Sequence, residues 1–287
     1  GLGSARALVY LRESNVTGLQ ILSQASIRNA MIVHAACGGS TNLILHLTAI
    51  AYHAGLSRPT VEDWDEINRM VPRIVDVLPN GPNNYTTAQL FLAGGVPEIM
   101  VKLKDKNLLD LEVLTVTGQT LGENLAQWEK SVRRTRFREK LLELDGVQPD
   151  DVIMNFQKAA QNGLTSTICF PTGNLAPQGS VVKSTAIDST VVDTDGIYRL
   201  TGPARIFYSE KEAMRAVKGL TKNSIQAGDV IVLCGRGPMG SGMEEVAQIT
   251  LVLRHLSWGK QVALLTDARF SGVSTGACIG HIGPEAL

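Results

Sequence analysis

The sequence predicts an α/β protein in which a helix-rich region precedes a β-rich one. Up to about Asp145, apolar residues recur at helical spacing between capping residues. After Gly146 the chain breaks into short β-rich runs separated by Gly, Pro and Asp. With 287 residues and 44% hydrophobic content, it can bury the core of one large or two ordinary domains.

In the first region Ser26 stands where it can cap a helix over Ile27 to Ala36, and Ser40 or Thr41 can cap another over Leu43 to Ala54. Gly55 falls where a helix C-terminus takes a left-handed residue. Thr60-Val61-Glu62-Asp63 opens the next helix, with Asp63 in place of the usual Glu of a capping box. From Leu121 to Leu144 the spacing predicts a long charged helical stretch. Its basic residues Lys130, Arg133, Arg134, Arg136 and Arg138 are interleaved with Glu129, Glu139 and Glu143, the pattern of a solvated face rather than a nucleic-acid surface. In the second region the β-rich runs are Thr165 to Phe170, Val181 to Ile187, Gly196 to Leu200, Ala204 to Tyr208, Val230 to Cys234 and Val262 to Thr266. That spacing predicts a compact barrel or sandwich with a few helices.

Lys plus Arg equals Asp plus Glu at 27 each, so no global field recommends nucleic acid or an anionic membrane as a partner. No apolar run approaches the roughly 20 residues of a membrane span. The first residues lack a signal-peptide core, and a cytoplasmic protein is expected. Cys37, Cys169, Cys234 and Cys278 are far apart in sequence, mostly in apolar surroundings, with no C-x-x-C or C-x-x-H pair. They read as small buried hydrophobes, not as a disulfide framework.

Two segments carry chemistry. The apolar run Val262 to Leu265 leads into Thr266-Asp267-Ala268-Arg269-Phe270-Ser271-Gly272-Val273-Ser274, where an acid, a cation and a hydroxyl fall within five positions. Gly272 leaves the backbone open to a ligand, and a hydroxyl beside a cation can be tuned as base or nucleophile. The same residue types also make an ordinary turn with a surface ion pair. The second segment, Gly235-x-Gly237-x-x-Gly240, follows an apolar strand and precedes a helix expected over about Met243 to Leu256 and a strand ending in Asp267. That is the outline of a dinucleotide-binding unit. Against that ligand, Pro238 removes a donor from the loop, and Glu244 and Glu245 place two carboxylates where a pyrophosphate would sit.

The stretch from Ala263 to Ser274 resembles the second signature of the dihydroxy-acid and sugar-acid dehydratases, the family of dihydroxy-acid dehydratase and 6-phosphogluconate dehydratase. Gly38-Gly39-Ser40-Thr41-Asn42 is similar to the family's GGSTN element. Gly94-Gly95-Val96-Pro97, Thr115-Val116-Thr117-Gly118 with Leu121, Glu123, Asn124 and Leu125, and Gly173-Asn174-Leu175-Ala176-Pro177 follow in the family's order. Residues 78–83, 237–245 and 257–260 look most like the branch acting on D-xylonate.

The resemblance implies a hydro-lyase that dehydrates a sugar acid, D-xylonate or a similar aldonate, to the 2-keto-3-deoxy acid. The branched-chain dihydroxy acid is the alternative substrate, and a catalytically silent fragment the alternative to an enzyme. It implies Ser271 as the base and Glu245 as a ligand of Mg2+, with the register against Glu244 resting on Met243-Glu244-Glu245. Asp267, Arg269, Gly272, Ser274, Ser40 and Thr41 are then expected at the substrate. An iron–sulfur cluster, of two or four irons, is expected on ligands upstream of the GGSTN element, none in this chain, where no Cys-Asp-Lys occurs. The chain is accordingly expected to be a fragment, somewhat under half of a full-length enzyme and inactive by itself. His46, His53 and His281 are expected as bystanders. The implied fold is the end of a helix-rich α/β cluster-binding domain over 1–145, a linker over 146–163, and an aconitase-like swivelling β-barrel domain over 164–287. The implied assembly is a homo-oligomer, dimer or tetramer, with a small-molecule substrate.

Overall fold

A computed structural model describes residues 2–271, 274 and 276–286. The chain divides into two compact units, Gly1–Gly38 with Leu45–Thr165 and Gly39–Ile44 with Ser166–Leu287. Among the described residues no helix is long and apolar enough to cross a membrane.

The first unit is helical, with α1 (Leu2–Glu13), α2 (Gly18–Ile21), α3 (Gln24–Cys37), most of α4 (Asn42–His53), α5 (Val61–Met70), α6 (Thr87–Ala93), α7 (Gly95–Lys104), α8 (Leu121–Glu129), α9 (Val132–Asp145), α10 (Pro149–Val152) and α11 (Phe156–Gln161). The cap of α3 is Ser23, not Ser26. The two serines satisfy each other, Ser26 N donating to Ser23 Oγ at 3.1 Å and Ser23 N to Ser26 Oγ at 2.9 Å, which puts Ser26 inside the first turn. The box at α5 forms as its spacing predicts, with Asp63 N on Thr60 Oγ1 and Thr60 N on Asp63 Oδ2. Gly55 takes the left-handed conformation after α4, at φ 71°. The stretch 121–144 is not one helix. It breaks after Glu129, and Ser131 Oγ accepts from Arg134 N at 3.2 Å to start α9.

The core of this unit lies around α3, α5 and α7, where Ile27, Ile32, Trp64, Ile67, Ile99 and Leu103 are fully buried. Glu98 on α7 is buried with them, and Arg134 of α9 grips its carboxylate through Nε at 2.7 Å and Nη2 at 2.8 Å while Trp128 Nε1 donates at 3.2 Å. Residues 146–163, read from the sequence as a linker, carry α10 and α11. Asp76 N bonds to Val152 O and Met154 N to Ile74 O, so this segment packs into the first unit.

The second unit contains β1 (Ile168–Cys169), β2 (Val181–Lys183), β3 (Ala204–Phe207), α12 (Glu210–Val217), β4 (Val230–Leu233), α13 (Pro238–Ser241), β5 (Glu245–Val246), α14 (Gln248–Arg254), β6 (Ala263–Thr266), β7 (Arg269–Phe270) and β8 (Ala277–Gly280). Six strands form one mixed sheet in the order β1-β2-β8-β6-β4-β3, and β5 pairs with β7 in a separate ribbon. β3, β4, β6 and β8 run parallel, with α12 between β3 and β4 and α14 between β4 and β6. Parallel neighbours need such crossovers. Among the described residues the edges β1 and β3 do not pair, so the sheet is open and no closed barrel forms. Short apolar runs look alike in a barrel and in a parallel sheet, so the sequence spacing did not distinguish the two. Gly196 to Leu200 supplies only one isolated bridge, Val192 with Tyr198. The unforeseen β8 lies inside the sheet, between β2 and β6.

Candidate active site

The buried strand β6 ends at Thr266 and delivers Asp267 to the carboxyl edge of the parallel strands. Asp267 is 5% exposed, and its carboxylate accepts from three backbone amides: Gly235 N at 2.8 Å, Arg236 N at 2.9 Å and Ala286 N at 3.1 Å. An acid so engaged fixes the loop after β4 and has little left for a ligand. Beside it, a cavity of about 160 Å³ is walled by Val232, Leu233, Cys234, Leu265, Ile282 and Pro284 among others. Its apolar walls do not suit a polyhydroxylated acid, whose hydroxyls need partners.

The chain then forms β7, which pairs in parallel with β5 so that Glu245 stands opposite Arg269 and Val246 opposite Phe270. Glu245 was expected at the start of a helix over Met243 to Leu256. Instead Gly242 and Met243 both take left-handed backbone, at φ 71° and 61°, and the reversal turns Glu245 and Val246 into a strand before α14 begins at Gln248. Glu244 and Glu245 therefore do not stand at a helix N-terminus. Arg236 Nε donates to Glu244 Oε1 at 2.6 Å, and Arg269 Nε to Met243 O at 2.6 Å, so both arginines hold the turn that presents Glu245.

Residues Gly39–Ile44 meet this ribbon inside the second unit. Thr41 is buried and its Oγ1 donates to Phe270 O at 3.2 Å, while Asn42 Nδ2 donates to Glu245 Oε2 at 2.8 Å. Ser40 is exposed, and its Oγ accepts from Asn42 N at 3.2 Å. Ser271 follows β7 directly, half-buried, with its N–H reaching Val246 O at 3.4 Å and its carbonyl accepting from Ser274 N at 2.9 Å. The structure thus gathers Glu245 and Arg269 on one short ribbon, with Ser271 directly after it and Thr41 hydrogen-bonded to it. Ser274 faces inward, its hydroxyl 2.9 Å from Thr250 Oγ1, and Gly272 lies outside the described residues.

The glycine loop is filled by the chain itself. Glu285 Oε2 accepts from Met239 N at 2.8 Å and its Oε1 from Gly240 N at 2.7 Å. A Cβ at Gly237 would lie 2.6 Å from Glu285 Cδ, and one at Gly240 2.1 Å from Gly235 O. These glycines make room for the chain's own Glu285 carboxylate and Gly235 backbone, so the outline of a dinucleotide-binding loop is occupied from within. Sequence reasoning gave Glu285 and Asn42 no role, although Asn42 stands within the motif quoted above.

His281 sits beside the same ribbon. Its N–H donates to Ala268 O at 2.9 Å, and its ring meets Phe270 edge-on at 6.1 Å. Burial, and then the nearby Arg269 charge, push its pKa down to about 4. Among the thiols, burial pushes Cys37 up to about 11 and raises Cys278, while burial and then the Asp267 charge raise Cys234. Thiolate is the form that binds iron, so these environments oppose ligation. Among the described residues no group of three or more His, Cys, Asp and Glu side chains is placed to hold a metal ion. The residues present do not fit an iron–sulfur cluster. For a single hard cation the structure offers one oxygen donor here, the exposed Glu245 carboxylate, whose Oε2 accepts from Asn42 Nδ2 at 2.8 Å.

Comparison with known proteins agrees along the chain. Residues 3–124 match the family model described as dihydroxy-acid/6-phosphogluconate dehydratase N-terminal, and residues 151–287 match its C-terminal counterpart. The chain is 58% identical to D-xylonate dehydratase YagF of Escherichia coli and 56% to D-xylonate dehydratase YjhG, each over 99% of this chain and 43% of the relative. A dihydroxy-acid dehydratase of Leifsonia xyli is 40% identical over 99% of this chain and 45% of its own length. The chain thus spans somewhat under half the length of the curated relatives it matches.

Proposed function

The chain belongs to the dihydroxy-acid/6-phosphogluconate dehydratase family, whose members are hydro-lyases, and on that premise we propose that it forms part of a sugar-acid dehydratase. The substrate is D-xylonate or a close aldonate, and the product the 2-keto-3-deoxy acid. One observation carries the reading: the GGSTN element and the serine loop, 229 residues apart between Thr41 and Phe270, are hydrogen-bonded to each other at the ribbon that bears Glu245.

Dehydration of a 2,3-dihydroxy acid removes a proton from C2 and hydroxide from C3, and the resulting enol tautomerises to the keto acid. Ser271 takes the C2 proton. A serine hydroxyl does so only as alkoxide, so it needs positive charge around it, which Arg269 two residues earlier supplies in part. Glu245, an oxygen donor held by Asn42, is the residue that would hold Mg2+. When bound, the cation supplies charge stabilisation to the substrate carboxylate and to the developing enolate. Thr41 seats the motif segment against β7, and Ser40 offers an exposed hydroxyl to the substrate. No step of this proposal passes through an iron–sulfur cluster, since the described residues offer it no ligand set.

The test is a competition assay on the full-length protein. D-Xylonate or a related pentonate or hexonate is expected to be dehydrated faster than 2,3-dihydroxyisovalerate. Equal or better turnover of the branched-chain acid would move the assignment to the function named for the relatives near 40% identity.

A further inference from the structure

Two carboxylates hold the loop that follows β4. Asp267, at the end of β6, accepts from the amides of Gly235 and Arg236, and Glu285, in the segment after β8, accepts from those of Met239 and Gly240 at 2.8 and 2.7 Å. Asp267 also accepts from Ala286 N, so the same acid ties down the residue next to Glu285. Amides in the first turn of a helix have no partner within it, and in α13 Glu285 supplies one. The fit is steric as well: a Cβ at Gly237 would lie 2.6 Å from Glu285 Cδ, and one at Gly240 3.1 Å from its Oε1. From this loop the chain runs directly to the ribbon. Ser241 N and Met243 N both donate to Gly237 O, at 3.2 and 2.9 Å, closing the turn on the residue that Glu285 packs against. Met243 is left-handed, its carbonyl accepts from Arg269 Nε, and β5 follows, with Val246 O accepting from Ser271 N at 3.4 Å. A left-handed residue that carries a side chain is strained and persists only where its surroundings hold it. Continuous contacts therefore join Glu285 to the backbone of Ser271, all within the second unit.

We propose that Glu285 is a positioning residue for the active-site ribbon. It works as a latch: its carboxylate holds Met239 and Gly240, the turn so held carries the strained Met243, and Met243 with Arg269 sets where Glu245 and Ser271 stand. The inference rests on the reading of this ribbon as the active site and needs no bound ion. A misplacement of about 1 Å at a reacting group, caused from a distance, is enough to cost about 10²-fold in rate. The latch requires a carboxylate. Both backbone amides are donors, and Glu285→Gln offers them one oxygen and one NH2 group, so one hydrogen bond gives way to two donors facing each other.

The experiment measures dehydration of D-xylonate, exchange of its C2 hydrogen with solvent, and melting curves on the full-length protein. Glu285→Gln and Glu285→Ala are expected to lower kcat and C2 exchange together by about 10- to 100-fold, with KM nearly unchanged and the protein folded at the assay temperature. Formate or acetate added to Glu285→Ala should restore turnover in a saturable manner, because the vacated space presents two N–H donors to a carboxylate, and chloride should not. A loss of fold would be recovered by no one anion in particular. If both variants keep kcat within about threefold of the parent, far less than such a misplacement costs, while Ser271→Ala loses turnover, the proposal is overturned and the reading of the ribbon stands. If turnover falls only in step with the melting temperature and formate restores none of it, Glu285 serves the fold alone and the proposal is likewise overturned. If Ser271→Ala turns over as well as the parent, or the parent leaves D-xylonate untouched, the active-site reading itself fails and this proposal with it.

Discussion

Ser271 is the residue on which the chemistry turns, and its neighbourhood explains why a hydroxyl is placed there. It follows a two-residue strand whose partner carries Glu245, and its backbone is tied at both ends, to Val246 O and from Ser274 N. Ser271→Ala in the full-length protein is expected to lower kcat by roughly 10²- to 10⁴-fold, with loss of exchange of the C2 hydrogen and with folding intact. A variant keeping more than about a tenth of the parent rate would make Ser271 a bystander. His281 makes a second residue-scale prediction. Its pKa is pushed from 6.5 to about 4 by burial and then by Arg269, so the unfolded chain binds a proton in a range where the fold keeps the ring neutral. Stability therefore rises with pH between those values. The contribution is complete above about 6.5 and is lost as pH falls towards 4, about 2 kcal/mol being gone by pH 5. His281→Asn, which tolerates the left-handed backbone at φ 52°, should flatten the dependence of unfolding free energy on pH from 6.5 to 5. An unchanged slope would place the titration elsewhere.

At the scale of elements, α7, α8 and α9 are joined through one buried acid. Burial by itself would raise the Glu98 carboxyl; the hydrogen bonds and charge of Arg134, with Arg138 and Trp128, outweigh that and leave it below the usual carboxylate range. Arg134→Met strands the Glu98 charge in the core and should cost about 3 kcal/mol in urea unfolding, of which the double variant with Glu98→Gln recovers a large part. A loss under about 1 kcal/mol would mean that Arg138 at 3.6 Å and Lys102 at 4.0 Å suffice. The elements also show where sequence is readable. Thr60 with Asp63, and Gly55, were legible because a cap is a contact between residues within one turn. The break at Lys130 and the strand at Glu245 were not. The first depends on Ser131 competing with an otherwise helical pattern, and the second on a left-handed Met243 that no residue preference announces. The motif residues of the site were legible in sequence, but their partners were not. Asn42 and Glu245 are 203 residues apart, and Glu285 reaches back 45 residues to Gly240.

For the whole molecule, the sheet order decides what the cysteines can do. Cys169 on β1 pairs with Val182 on β2, and Val182 pairs with Ile279 on β8, the neighbour of Cys278. With strands 4.7–4.9 Å apart, Cys169 and Cys278 lie about 10 Å from each other across the sheet. Cys278 pairs with Leu264, which pairs with Ile231, and Cys234 lies three residues further along that third strand. It is therefore two strands across and roughly another 10 Å along from Cys278. Cys37 ends α3 in the first unit. Cluster irons need several thiolates converging on one small centre, and separations of this size do not converge. The chain alone is accordingly expected to purify colourless, and anaerobic treatment with iron and sulfide should leave no stoichiometric iron bound. The same spacing exceeds the roughly 7 Å limit between Cα atoms of a disulfide, so mild oxidation should leave Cys169, Cys234 and Cys278 countable as free thiols in denaturant. A stable brown species with stoichiometric iron would overturn this placement of the thiols, and it would make Cys37, beside the GGSTN element, the first residue to test as a ligand.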